Sequence, residues 1–282
     1  MNAIEVQNVC KEYKGFRLDN VSLTLPSGCI MGLIGENGAG KSTLIKAIMG
    51  AVSADSGQIK VLGQENTKNF SRLKEEIGIV LSEPGFPEEL SARQIQKVMR
   101  HTYRNWDDDA FEQYREQLRL PKDKIFKTYS RGMKMKLAIA VALSHRSRLL
   151  IIDEGTAGLD PIVRDEILDI FFDFTRQADH SILISSHIVS DLEKLCDYIC
   201  LIHRGQVLFS MEKDLLKERY GIFHGTDEEL AEMDQPAVKA ARRNKYGVEA
   251  LVDKSKVPEG TRLEVPTLED VIVYAVKGGV TL

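Results

Sequence analysis

The chain has 282 residues, 43% hydrophobic and 28% charged, enough to bury one large domain and a small appendage. Its 38 basic residues against 42 acidic ones leave a formal charge of -4, which argues against a nucleic-acid partner or a general attraction to anionic lipid. The four cysteines, Cys10, Cys29, Cys196 and Cys200, form no CxxC pair and read as reduced, mostly buried thiols of a cytosolic protein.

The opening MNAIEVQNVCKEYK has no apolar leader core, and the longest aliphatic run, Leu137 to Leu143, falls far below the roughly 18 residues a membrane span needs. The expectation is a cytoplasmic chain that does not itself enter the bilayer. To about residue 80 the pattern is strand-rich: IEVQNV, VSLTL, CIMGLIG running into a glycine loop and helix, then GQIKVLG. From about 84 to 145 it turns helical, with RQIQKVMRHTYRNW and DDAFEQYREQLRL as amphipathic stretches stopped at Pro121. LLIID and SILIS then flank the helical PIVRDEILDIFFDFTRQ, the strand, helix, strand rhythm of a parallel sheet. Alternation ends after ICLIHRGQVLFS. The expected boundary lies near Met211, giving a domain over 1–211 and a small α+β extension over 212–282, whose last helix Thr267 would cap with Asp270 three positions on.

Chemistry enters at Gly35-Glu36-Asn37-Gly38-Ala39-Gly40-Lys41-Ser42-Thr43, a full match to G-x-x-x-x-G-K-[ST] between an apolar strand and an apolar-periodic helix. Its glycines let backbone N–H groups approach phosphate oxygens, and the helix N-terminus adds partial positive charge. Lys41 is then expected to reach the β- and γ-phosphates of a nucleotide, and the Ser42 hydroxyl to ligate Mg²⁺. The strand Leu149-Leu150-Ile151-Ile152 delivers Asp153 and Glu154 at its carboxyl end, where open α/β sheets place their ligands. Asp153 is expected to hold Mg²⁺, directly or through water. Strand alternation turns Glu154 to the opposite side, placed to orient the attacking water.

With these motifs in order, the sequence resembles the ATP-binding-cassette (ABC) family over roughly residues 3 to 210. The resemblance implies an α/β P-loop NTPase fold: a parallel core sheet, an antiparallel β subdomain, a helical subdomain and the C-terminal extension. It also implies that Tyr129-Ser130-Arg131-Gly132-Met133 is a divergent LSGGQ signature, keeping Ser130 and Gly132, which would face the γ-phosphate of another subunit. By itself Ser130 reads as a plain helix N-cap, and only the resemblance turns it toward phosphate. Ala157-Gly158-Leu159-Asp160 resembles the D-loop at the dimer interface, and His187 the switch histidine at the γ-phosphate. Tyr13 matches the aromatic that stacks on adenine, with core packing as the alternative.

Two departures stand out. Ser82 occupies the position of the family's metal-contacting glutamine, so it would act through a water, or neighbouring Glu83 would substitute; Gly155 stands where proline or alanine is commoner. In EPGFPEELSA, where relatives receive a coupling helix of the membrane subunit, Phe86 is either an exposed contact or a buried anchor. The implied activity is ATP hydrolysis with Lys41, Glu154 and His187 as catalytic residues. ATP would be sandwiched between two head-to-tail ATPase subunits, homo- or heteromeric, peripheral on the inner face of the membrane. They would power a separate permease, and the extension resembles exporter types for peptides or antimicrobial compounds. Three alternative functions make different demands on the sequence. A soluble cassette ATPase of DNA repair or translation would carry a coiled-coil insertion, tandem cassettes or a basic linker. A weakly hydrolysing regulatory subunit fits poorly with Glu154 and His187. A GTP switch would need NKxD, which Asn244-Lys245-Tyr246-Gly247 is not.

Overall fold

The computed structural model of the chain describes residues 1–66, 70, 72–156, 158–245, 247–278 and 282; Ala157 and Tyr246 lie outside them. β1 (Asn2–Tyr13) and β2 (Phe16–Pro26) form an antiparallel hairpin turning at Gly15, φ +86°. β3 (Ile30–Ile34) has no exposed residue, as expected of a strand covered on both faces. It leads through the glycine loop into α1 (Lys41–Ile48). β4 (Ser56–Val61) and the short β5 (Gln64–Glu65) return to the hairpin, giving a four-stranded antiparallel sheet in the order β2-β1-β4-β5.

β6 (Ile77–Val80) opens the way to the helical block: α2 (Ala92–Thr102), α3 (Asp108–Gln117) and α4 (Arg131–Leu143). A reciprocal capping box between Ser91 and Gln94 starts α2. The helix expected over RQIQKVMRHTYRNW stops short of its last residues, because Tyr103 leaves helical geometry to lie flat on His145, ring centroids 4.1 Å apart. Phe86 falls between the two options: it is half-buried, packing edge-on against Phe126 at 5.5 Å, and it also lines an open cleft.

β7 (Leu149–Asp153), α5 (Pro161–Phe174), β8 (Ser181–Ser185), α6 (Val189–Leu195), β9 (Tyr198–His203) and β10 (Gln206–Glu212) complete the core. The strand order is β10-β9-β3-β8-β7-β6, parallel except for the β9–β10 hairpin. The carboxyl ends of β3, β7 and β8 therefore lie side by side.

The extension runs α7 (Lys213–Arg219), β11 (Tyr220–Gly225), α8 (Asp227–Ala231), β12 (Val238–Asn244), β13 (Gly247–Asp253), β14 (Leu263–Glu264) and α9 (Leu268–Gly278). Its sheet is antiparallel, in the order β12-β13-β11-β14. Thr267 caps α9 through Asp270: the Asp270 N–H donates to Thr267 Oγ1 at 3.1 Å, and that hydroxyl donates to Asp270 Oδ2 at 2.6 Å. Leu268, Val271, Tyr274 and Ala275 join the same buried cluster as Leu192, Leu195 and Leu201 of the core, so the extension is not packed as a separate body. All four cysteines are free. Burial pushes the thiol of Cys200 up to about 12 and that of Cys196 further still, which makes both unreactive.

Candidate active site

The phosphate loop is shaped by three glycines, each for its own reason. Gly35 is buried against β9, and a Cβ there would collide with the carbonyl oxygen of Ile202. Gly40, the residue before α1, sits at φ +115°, and a Cβ would come within 2.7 Å of Leu18 Cδ2 and 2.9 Å of Phe16 Cζ. Gly38, at φ +82°, faces open space; its backbone conformation alone favours glycine. The loop is braced by hydrogen bonds from the Ala39 N–H to the Glu36 carbonyl (3.1 Å) and from the Gly205 N–H to the Ala39 carbonyl (2.9 Å). Asn37 and Gly38 are exposed at its crest, Ser42 is exposed, and Thr43 is half-buried.

Lys41 is only 5% exposed. Its ammonium donates to the carbonyls of Gly35 (2.7 Å) and Glu36 (3.1 Å) and stands 3.9 Å from Glu154 Oε1. Carbonyl oxygens are weaker partners for an ammonium group than phosphate oxygens, so these two contacts can be exchanged for a stronger anion.

At the end of β7, Asp153 accepts a hydrogen bond from the Ser185 hydroxyl at 2.7 Å, in register with Ser185 of β8. Glu154 departs from the expectation. The strand ends at Asp153, and Glu154 adopts the left-handed conformation, φ +54°, so its direction comes from a turn and not from strand alternation. Such a conformation is uncommon for a non-glycine residue. Ser185 secures it, its hydroxyl and carbonyl oxygens accepting from the Glu154 N–H at 3.0 and 3.1 Å. Glu154 Oε2 then lies 3.8 Å from His187 Nδ1, while Oε1 faces Lys41. The same turn bears on Gly155, where a Cβ would collide with the Ile152 side chain.

The structure thus brings Lys41, Glu154 and His187 together at the ends of β3, β7 and β8. Asp153 and Ser42 are hard oxygen donors of the kind Mg²⁺ accepts alongside phosphate oxygens and water, so the donor set fits that ion. Ser82, half-buried beyond β6, lines a cleft of about 720 Å³ with Glu83, Phe86, Tyr129, Arg131 and Glu154. Tyr13, at the end of β1, is 44% exposed with the Lys11 ammonium 5.6 Å from its ring centre, so it is not a core residue.

Ser130 and Gly132 are not among the residues lining the Ser82 cleft, although Tyr129 and Arg131 beside them are. Ser130 is exposed and caps α4, its Oγ accepting from the Met133 N–H at 3.3 Å. Nothing crowds Gly132: a Cβ would meet Val163 at 3.5 Å, an ordinary contact. Arg131 lies against Gly158 of the D-loop segment, Asp160 caps α5 by accepting from the Val163 N–H, and Leu159 is buried. Sequence reading missed Ser185 and Phe16. The final serine of SILIS carries no motif, and its role becomes visible only through the β7–β8 register. Phe16 belongs to no motif, and its ring closes against Gly40 only in the folded chain.

The sequence model of the family described as "ABC transporter" matches residues 18–157. Among curated proteins, the uncharacterized ABC transporter ATP-binding protein YhcH of Bacillus subtilis is 30% identical over 97% of this chain and 91% of its own length. The lantibiotic transport ATP-binding protein SrtF of Streptococcus pyogenes is 37% identical over 75% of this chain and 91% of its own. A solved structure described as the ATP-binding subunit of an ABC transporter superposes with a TM-score of 0.70 at 26% identity, over 77% of this chain and 92% of that one.

Proposed function

Because this chain belongs to the ATP-binding proteins of ABC transporters, which bind and hydrolyse ATP for transport, we propose that it powers a separate membrane permease exporting peptides or other antimicrobial compounds. The observation that carries the reading is the meeting of Lys41, Glu154 and His187 within 4 Å ion-pair reach. The peptide cargo rests on the lantibiotic-transport relative.

ATP enters the loop Gly35–Thr43, whose N–H groups receive the phosphates, and Tyr13 offers an exposed ring face to adenine. Lys41 exchanges its two loop carbonyls for the β- and γ-phosphate oxygens, a more strongly charged partner. Ser42 and Asp153 would hold Mg²⁺, with Ser82 a further oxygen on the cleft wall; the ion, when bound, neutralises phosphate charge. Glu154 orients the attacking water and accepts its proton as the bond to the γ-phosphorus forms and the bond from that phosphorus to the β–γ bridging oxygen breaks, releasing ADP. His187 stabilises charge on the transferred phosphoryl group. Ser130 and Gly132 serve a second copy or a related subunit. The free space around Gly132 supports this, because nothing in its own chain requires a glycine there. Release of γ-phosphate removes the anion that bridges the pair, and the halves separate. The pair would work on the inner face of the membrane, with the cleft beside Phe86 receiving the permease. Among the described residues no helix is long and apolar enough to cross a membrane.

One purification tests this reading: tagged Glu154→Gln protein, isolated with ATP from detergent-solubilised membranes. Retained ATP, a dimer, a stoichiometric integral-membrane protein and turnover reduced by about 10³-fold are expected. Parental hydrolysis defeats the role of Glu154, and the absence of any membrane protein defeats the transporter reading.

A further inference from the structure

The extension's last helix reaches the catalytic loops. One face of α9 is buried in the core, and the adjacent face, with half-buried Ile272, Val273 and Val276, lines a cavity of about 310 Å³. Gly35, His187 and Val189 are on the opposite walls. The cavity is therefore a seam between the extension and the two segments that meet the terminal phosphate.

Three observations make α9 a firm wall. Its start is fixed by the Thr267–Asp270 cap. Just beyond its end, the Leu282 N–H donates to the Leu208 carbonyl of β10 at 3.1 Å. Its buried residues share a cluster with Leu192 and Leu195 of α6, the helix that begins two residues after His187. The His187 loop is braced from within, the Ile188 N–H donating to Ser186 Oγ at 3.0 Å. Its tie to β3 is long, however, the Ser186 N–H reaching the Leu33 carbonyl at 3.4 Å, and the His187 side chain is 53% exposed. Protein interiors are close-packed, so a loop moves where free volume lets it, and here the seam against α9 supplies that volume.

We infer that Val273 and Val276 of α9 are positioning residues for His187. They are the backstop against which the loop 186–189 seats, so the extension sets the rate of the hydrolytic step without touching ATP. This rests on the role proposed for His187. Such a backstop gives the extension a catalytic task that neither its own sheet nor its distance along the chain from the phosphate loop discloses.

The test is size exchange across the cavity, read by steady-state ATPase. Val276→Phe fills the seam and is expected to lower kcat about tenfold, with KM for ATP within about twofold of the parent. Adding Val189→Ala on the facing wall restores most of the lost kcat. Should Val276→Phe fold poorly, Val276→Ala, which widens the seam, is expected to cut kcat about threefold at unchanged KM. A folded variant with parental kcat, or a loss that Val189→Ala does not relieve, overturns the inference. A parental protein without ATPase activity defeats the proposed function instead, so the two failures are distinguishable.

Discussion

The phosphate loop and the N-terminus of α4 both offer a glycine beside a helix start, yet they are built in opposite ways. At the phosphate loop, Gly35 is dictated by a neighbouring carbonyl, Gly40 by Leu18 and Phe16, and Lys41 is already held by two oxygens. At α4, Gly132 has room for a side chain and Ser130 spends its hydroxyl on its own helix. A second contrast concerns charge. The first turn of α4 contains no acidic residue, while Arg131 and Lys134 sit there against the helix dipole. Packing within the chain accounts for Gly35 and Gly40 at the first site, whereas it leaves Gly132 at the second unexplained.

The largest expected effect breaks the first half of this contrast. Gly35→Ala forces a methyl group into the Ile202 carbonyl, so a loss of about 1–3 kcal/mol in stability is expected, together with weaker ATP binding by calorimetry. Unchanged stability and binding would mean that the loop is far more pliable than its packing implies. Gly132→Ala tests the second half. Alanine exceeds glycine by about 1 kcal/mol in helix propensity, so thermal stability should hold or rise, while turnover should fall about tenfold if another subunit's phosphate must approach the backbone there. Turnover that survives the added methyl would remove Gly132 from the sandwich.

The smallest effect sharpens where α4 is held at its other end. His145, just beyond α4, is fully buried, and burial lowers its pKa below the usual 6.5, partly offset by its contact with the Glu75 carbonyl. The folded state therefore resists protonation that the unfolded chain accepts. Stability is fully present above the ordinary imidazole range and declines as pH falls through it toward the lowered folded value. Thermal unfolding between neutral pH and pH 5 should show this decline, and His145→Leu should flatten it; an unchanged slope in that variant would assign the dependence elsewhere.

Much of this molecule was legible before its structure. The strand, glycine loop and helix of the phosphate site, the aliphatic strand ending at Asp153, and the Thr267 cap are short-range patterns in which neighbouring residues dictate one another's conformation. Other features come from partners distant in sequence. Tyr103 ends α2 by stacking on His145, and Phe86 is drawn to Phe126. Glu154 turns left-handed because Ser185, on the next strand, holds its N–H. No periodicity encodes such pairings, since they depend on which strands lie side by side and in what register.

By itself, then, the amino-acid order determined the phosphate-binding chemistry and the sequence of elements, because glycine freedom, hydrophobic periodicity and capping act within a few residues. Tertiary structure alone decided that Glu154 faces both Lys41 and His187, and that α9 and His187 line one cavity. Those outcomes arise from sheet register and from burial of apolar faces that lie far apart along the chain.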